Sequence, residues 1–301
     1  MSRKYIIVSG MIVLVLLLLG IASGPMNKLE QGLQDIQYQL RGQVPADTNI
    51  VILYFDNDDI SSLGGFPLKR NIYALLIDVL MRSNVKVIAF DILFGEPNLE
   101  YPEHDELLAA KAASSGRVVC SSYFGRVDTK ELSSPTLAPD QFPALGRLPK
   151  PVLYGGQIQL PYRELLQSAA GIGHLNTTEG FPSELPLLFD ANGRAVPAFG
   201  LEVLRVFAGV DRSAVRLDDR EVSLPASPGV ITVPMNGDGT TSLNFPGPLS
   251  SFRHYSCVEV LRSFSSDTAS LSALKGKTVF VSVIGVGRGN YVRTPFDAQF
   301  P

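Results

Sequence analysis

Cysteine is scarce in this chain of 301 residues: Cys120 and Cys257 are the two present. Two cysteines are not a disulfide framework. They leave a single bridge or free thiols. Cys120 closes an apolar, strand-like run, where a small buried thiol is the commoner fate. Histidine is nearly as rare. His104, His174 and His254 lie far apart and show no His-x-x-x-His spacing of the kind that holds zinc. No Gly-x-Ser-x-Gly elbow is present. No catalytic residue, cofactor or metal ligand is therefore assigned. Charge is also sparse, at 18% of residues with a formal net charge of −3, and no basic stripe interleaves with aromatics. Nucleic acid is thus not expected as a partner. With 45% apolar residues a disordered chain is excluded, and no internal repeat indicates a solenoid.

What is present begins with an apolar run. "MSRKYIIVSGMIVLVLLLLGIASGP" opens with Arg3 and Lys4 and then carries no charge from Tyr5 to Ala22. As a helix this run reaches roughly 27 Å, enough to cross a bilayer core. The basic flank keeps residues 1–4 in the cytoplasm, which places everything after the span outside. A cleaved secretory signal, with Gly20-Ile21-Ala22 as cleavage site, is the rival reading. The run exceeds the usual signal core of about 7–15 residues, which favours an uncleaved anchor at 5–22.

Residues 23–45 are expected to form a stem. Met26, Leu29, Leu33, Ile36 and Leu40 fall at spacings of 3, 4, 3 and 4, a helix with one narrow apolar seam. The seam either packs on the domain's own flank, which is the preferred expectation, or meets a second copy in a homodimer.

From residue 46 onward the pattern alternates. "NIVILYF" predicts a strand, and Ile72, Leu75, Leu76, Val79 and Leu80 a helix preceded by Pro67. "VKVIAFDILF" predicts a second strand, "PEHDELLAAKAASSG" a helix and "RVVCSSYF" a third strand. This is an α/β fold: a mostly parallel sheet flanked by helices. An antiparallel β-rich insertion should follow, with hairpins in "AVRLDDREVSLP" and in "GVITVPMNGDGTTSLNFPGP", the latter turning at residues 236–239. The strand in "LKGKTVFVSVIGVGRGN" is expected to rejoin the first sheet.

Ligand crevices of open α/β sheets lie just outside the C-terminal strand ends. Asp56 and Asp91 each follow a strand there, and are neighbours if their strands are adjacent. Gly285, Gly287 and Gly289 form a loop after the last strand whose amides can cradle an anion. That loop lacks the Lys-Ser/Thr of a P-loop. Arg70, at a helix start, either closes this rim in a structural ion pair or meets an anionic ligand. Alternatively, each Asp caps the segment after it. Asp56, Asp58, Asp59 and Asp91 also offer the oxygen ligands a hard cation takes, although "DNDD" is ordinary turn composition.

Several stretches in combination resemble the extracytoplasmic sensory domain called CHASE, type 2 (cyclases/histidine kinases-associated sensory extracellular). They are "IVILYFDNDDISSLGGFPLKR", "LLIDVLMRSNVKVIAFDILFGEP", "GIGHLN", "LNFPGP" and "LKGKTVFVSVIGVGRGNYVRTPF". The likeness runs over about residues 30–301. Phe66 and Lys69 stand where the family often has Trp and Pro, and Asn290 where an Asp often follows the glycine loop. "TTEGFPSELPLLF" replaces a charged stretch and an Arg-rich strand. These departures bear on a shared ligand more than on the fold. The resemblance implies that the family's domain continues beyond Pro301, followed by further membrane helices and a cyclase, kinase or related output module. It implies a sensory domain at residues 46–301, held at the inner membrane and facing outward, which answers an unknown small-molecule or physical signal. The alternatives are an anchored or secreted binding or hydrolytic protein using the acidic rim for a cation, and an assembly module acting through the stem alone.

Overall fold

A computed structural model of the chain describes residues 25–125, 127–128, 144–148, 152–155, 157–177, 184–191, 193–265, 269–285 and 294–297. Among these no helix is long and apolar enough to cross a membrane, and the span expected at 5–22 lies outside them. Residues 126, 129–143, 149–151 and 156 lie outside as well.

Helix α1 (Pro25–Arg41) leads into strand β1 (Ile50–Phe55). A one-and-a-half-turn helix α2 (Asn57–Ser62) follows, then α3 (Arg70–Arg82), β2 (Val87–Phe90), α4 (Pro102–Ser115) and β3 (Val118–Phe124). Helix α4 starts with Pro at its first position and stops at Gly116, whose left-handed φ of 59° suits a residue without a Cβ. Short strands β4 (Val127–Asp128), β5 (Tyr154–Gly155) and β6 (Ile158–Gln159) precede α5 (Arg163–Ser168) and β7 (Gly171–His174). Next come β8 (Glu184–Pro186), β9 (Leu188–Ala191), β10 (Arg194–Pro197) and α6 (Phe199–Ala208). Strands β11 (Arg216–Leu217), β12 (Glu221–Ala226), β13 (Gly229–Pro234) and β14 (Thr240–Ser242) form the rest of the antiparallel portion. The chain returns through β15 (Arg253–Ser256), α7 (Cys257–Ser265) and β16 (Thr278–Val283).

The main sheet runs β15-β1-β16-β2-β3-β7 with every pair parallel, and β6 adds antiparallel to the end of β3. The expected α/β class with a largely parallel sheet and antiparallel additions is therefore present. The last strand does rejoin the sheet, and it does so at the centre. Its position between β1 and β2 corrects the expectation that those two could be neighbours: two strand spacings, roughly 10 Å, separate them. The second expected hairpin is also corrected. Strand β13 pairs back onto β12, whereas β14 pairs with β8. The turn at 236–239 is real, closed by the Asn236 amide on the Thr240 carbonyl, but it sends the chain to another sheet.

The two faces of the sheet are covered differently. Val51, Leu53, Phe55, Ile88, Phe90, Val279 and Val281 are buried in the large core that they share with α3, α4 and α7. On the other face α6 lays Phe199 and Val203 over Val87, Ala89 and Val119. That single helix covers the β2-β3 half. The burial of β1 alternates, with Ile50, Ile52 and Tyr54 only half-buried. An apolar run in a parallel sheet is ordinarily covered on both faces, so this half is unusual.

Gly173 explains how close α6 sits. A Cβ there would lie 2.5 Å from the Cα of Phe199 and 2.7 Å from the Ala198 carbonyl oxygen. Backbone cannot retreat as a side-chain tip can. Gly173→Ala should lower stability by about 1–3 kcal/mol in urea unfolding. Gly200→Ala, on the same helix but with nothing within 4 Å, should be neutral or slightly stabilising. Both cysteines are buried and free.

Candidate functional site

The two rim acids have different fates. Asp56 caps α2: its side chain accepts from the Asp59 amide at 2.8 Å. Asp59 in turn accepts from the Ser256 hydroxyl at 2.8 Å, tying α2 to the end of β15. Desolvation raises the Asp59 carboxyl, opposed by that hydroxyl bond. Among the described residues no group of three His, Cys, Asp or Glu is placed to hold a metal ion.

Arg70 does not reach this rim. Its guanidinium pairs with Asp105 at 2.6 Å, donates to the Glu96 carbonyl and lies 4.7 Å from the centre of the Tyr162 ring. Asp105 also accepts from the Asn98 amide, and the Tyr162 hydroxyl donates to the Asp105 carbonyl. Arg70 thus clamps the 94–98 loop to α4 and the start of α5. Gly285 approaches Asn57 at the start of α2, where a Cβ would meet its Oδ1 at 2.5 Å. Gly287 and Gly289 lie outside the described residues.

Asp91 is the acid left facing open space. Its amide continues the ladder to the Val281 carbonyl at 2.9 Å. The register pairs Tyr54 with Ser282, and the Ser282 hydroxyl reaches Asp91 at 3.4 Å. Tyr54, Ser282 and Asp91 therefore form one cross-strand row on the half of the sheet that α6 leaves open. Ile52, Phe280 and Ala89 form the row below it. Asp91 stays exposed to solvent, yet protein surrounds the hollow in which it sits and removes part of its hydration. That desolvation raises its pKa, with the Ser282 hydroxyl pulling the other way.

These rows floor a cavity of ≈ 290 Å³. Ile50, Ile52, Tyr54, Phe280 and Ile284 supply its apolar base, and Asp91 and Ser282 its polar end. Phe280 closes one side by packing on Phe199 of α6, ring centroids 6.0 Å apart. Leu249 and Phe252 form the facing wall. They come from the segment joining β14 to β15, which includes a 3-10 turn at Leu249–Ser251.

The same segment holds the stem. The Tyr38 hydroxyl donates to the Leu243 carbonyl at 2.5 Å, and Arg41 donates to the Asn244 side chain at 2.5 Å and to the Phe245 carbonyl. The Val44 amide donates to the Pro246 carbonyl at 2.9 Å. Tyr38 packs edge-on against Phe245 and Phe296, at 5.8 and 6.3 Å. Residues 243–252 thus touch the C-terminal end of α1 with one part and wall the cavity with the next. The apolar seam is not what docks. Leu33, Ile36 and Leu40 are exposed, so the expectation that they pack on the domain's flank fails for these three. Tyr38 and Arg41, off the seam, make the contact. The side chains of Met26 and Leu29 lie outside the described residues.

Of the predicted site residues that are described, only Asp91 lines the cavity. The remaining lining was not anticipated from sequence. A continuous apolar β1 implies burial on both faces, and nothing in its own residues says that one face lacks a covering helix. A family model described as the CHASE2 domain matches residues 11–301 of the chain. No curated protein and no solved structure matches it.

Proposed function

The chain belongs to the CHASE2 domain family, a sensory domain family of receptors, and on that premise we propose that it is the extracytoplasmic input domain of a transmembrane receptor. No enzyme activity is expected of this segment, since the family is sensory and not catalytic. Its signal passes inward to a cytoplasmic cyclase, kinase or related output module. The observation that carries this reading is the shared segment 243–252. It walls the sheet-face cavity through Leu249 and Phe252, and it grips the stem through Leu243, Asn244 and Phe245. An occupant that favours one position of the wall biases the position of α1, by no more than its differential affinity for the two states. The exposed Leu33, Ile36 and Leu40 give the stem a face for pairing with a second copy, a stem-to-stem route toward the membrane.

Cysteine labelling tests the orientation. Val230 on β13 is 63% exposed. The native thiols are buried, and burial pushes Cys120 up to about 12 and Cys257 well above its ordinary value, so neither competes for a maleimide. Val230→Cys in the full chain should react with a membrane-impermeant maleimide in cells whose inner membrane is intact. Reaction only after that membrane is ruptured would place the domain inside and end the proposal.

A further inference from the structure

We propose that the cavity on the open half of the sheet is a receptor site for a small organic cation, an amine or ammonium on an apolar body, with the cationic group seated against Asp91 and Ser282. The inference deepens the sensor reading by naming the chemical class of the signal, and it rests on that reading only for the word signal.

Charge decides the sign. Among the described residues Asp91 is the one charged side chain lining the cavity, and no Lys or Arg pairs with it. The surroundings add negative field. Tyr54 lies close enough to Asp56, Glu259 and Asp59 for each to oppose its ionisation, on top of its burial. His254, with its ring 6.1 Å from that of Tyr54, is exposed on the neighbouring edge strand and bonds the Phe252 carbonyl through Nδ1. An anion would thus meet a carboxylate that no cation among the described residues offsets. A cation would pair with a carboxylate that is already losing hydration, where a charge-assisted hydrogen bond is strongest. Tyr54 and Phe252 present aromatic rings to the same space, and these also attract a cation.

Shape decides the rest. The base is aliphatic and aromatic, so the body of the ligand is apolar. A volume of ≈ 290 Å³ corresponds to roughly ten waters of ~30 Å³ each, and so to a molecule the size of an aromatic monoamine. Contact with Leu249 and Phe252 puts such a molecule directly on the wall that continues into the stem clamp.

Tryptamine is a suitable probe, because the chain has no tryptophan and indole emission therefore reports the probe alone. The full chain in detergent micelles is titrated into tryptamine and, separately, into tryptophol, the same ring system with a neutral hydroxyl. Empty micelles supply the baseline. Tryptamine anisotropy should rise saturably, with half-saturation at least tenfold lower than for tryptophol. Asp91→Asn should abolish that preference, weakening tryptamine at least tenfold and leaving tryptophol unchanged. Asp58→Asn, an exposed acid outside the cavity, should keep it. Equal affinity for the two probes, a preference that survives in Asp91→Asn, or no saturable binding of either would overturn the proposal. The titration is blind to membrane orientation, so it fails independently of the labelling test. Binding with inward labelling would keep the site and lose the sensor. Outward labelling without binding would keep the sensor and lose the amine.

Discussion

Arg205→Ala should remove about 3–5 kcal/mol of folding stability, the loss typical when one partner of a buried ion pair is deleted. Glu202 is fully buried on α6. It accepts from Arg205 Nε at 3.0 Å and Nη2 at 2.8 Å, and from Arg212 Nη2 at 3.2 Å. Arg205 also donates to the carbonyls of Val210 and Ala170, so it joins the end of α6 to the start of β7. Truncation leaves a carboxylate without its two best donors, takes the guanidinium from the Val210 carbonyl, and leaves the Ala170 carbonyl only the longer bond from Arg212 at 3.4 Å. Gly171 faces the same carboxylate, a Cβ there falling 2.8 Å from Glu202 Oε2, so the packing leaves little room for relaxation. The measurement is the urea midpoint and slope of the full chain, followed by circular dichroism. Glu202→Leu combined with Arg205→Met should recover most of the loss, because an apolar pair needs no charge compensation. Arg212, with its side chain 29% exposed, can turn to water in that variant. A single-variant loss below about 1 kcal/mol, on the scale of a surface pair, would show that the cluster is hydrated in solution.

His174→Leu should flatten the acid limb of the stability curve. His174 sits on β7 at 2% exposure, between the rings of Phe189 at 4.5 Å and Phe124 at 6.0 Å. Among the described residues neither of its ring nitrogens has a hydrogen-bond partner. Burial without a partner disfavours the imidazolium and lowers its pKa from 6.5 to about 3. The unfolded chain therefore binds the proton more readily than the folded one throughout that interval. Stability from the neutral ring is fully present above about pH 6.5 and is lost as pH falls toward about 3. The slope is about 1.4 kcal/mol per pH unit. By pH 5 this amounts to about 2 kcal/mol, and over the whole interval to about 4–5 kcal/mol. Asp59 and Asp91, whose carboxyls are raised by desolvation, act in the opposite direction, so the comparison with His174→Leu isolates the histidine. At pH 7.5 the variant should be as stable as the parent or slightly more so, since an apolar residue leaves no unpaired nitrogen. Parallel acid limbs for the two proteins would mean that His174 titrates normally in the fold.

The two predictions concern opposite faces of β7. Gly171, Gly173, Glu202 and Arg205 seat α6 against β7, whereas His174 turns to the other face, between Phe124 and Phe189. Where α6 ends, the cavity begins, with Phe280 against Phe199 as the boundary. A helix held by a buried ion pair and a backbone-to-backbone contact forms a fixed side. Leu249 and Phe252, on a loop tied to the stem, form the facing side.

How much of this was legible beforehand depends on the range of the interaction. The helix in "RNIYALLIDVLMR", the strand in "VIAF" and the stop at Gly116 follow from spacings within a dozen residues. So does the Asp56 cap, one of the two roles open to that acid, which needs only the amide three residues on. Arg70 as a closing ion pair was also one of two open readings. Its partner, Asp105, is 35 residues away, beyond the reach of local spacing.

The sequence by itself determined the α/β class, the parallel character of the sheet, the return of the last strand and the family. Each depends on local apolar periodicity or on the order of elements along the chain. Tertiary structure alone decided that β16 separates β1 from β2, that β14 leaves its hairpin for β8, and that Tyr38 and Arg41 rather than the seam dock the stem. It alone decided that α6 covers only half a face. Periodicity states which side of a strand is apolar and says nothing of what is laid on it. The cover comes from residues about 150 positions away in the chain, and where it stops short the described residues leave an apolar face with one acid.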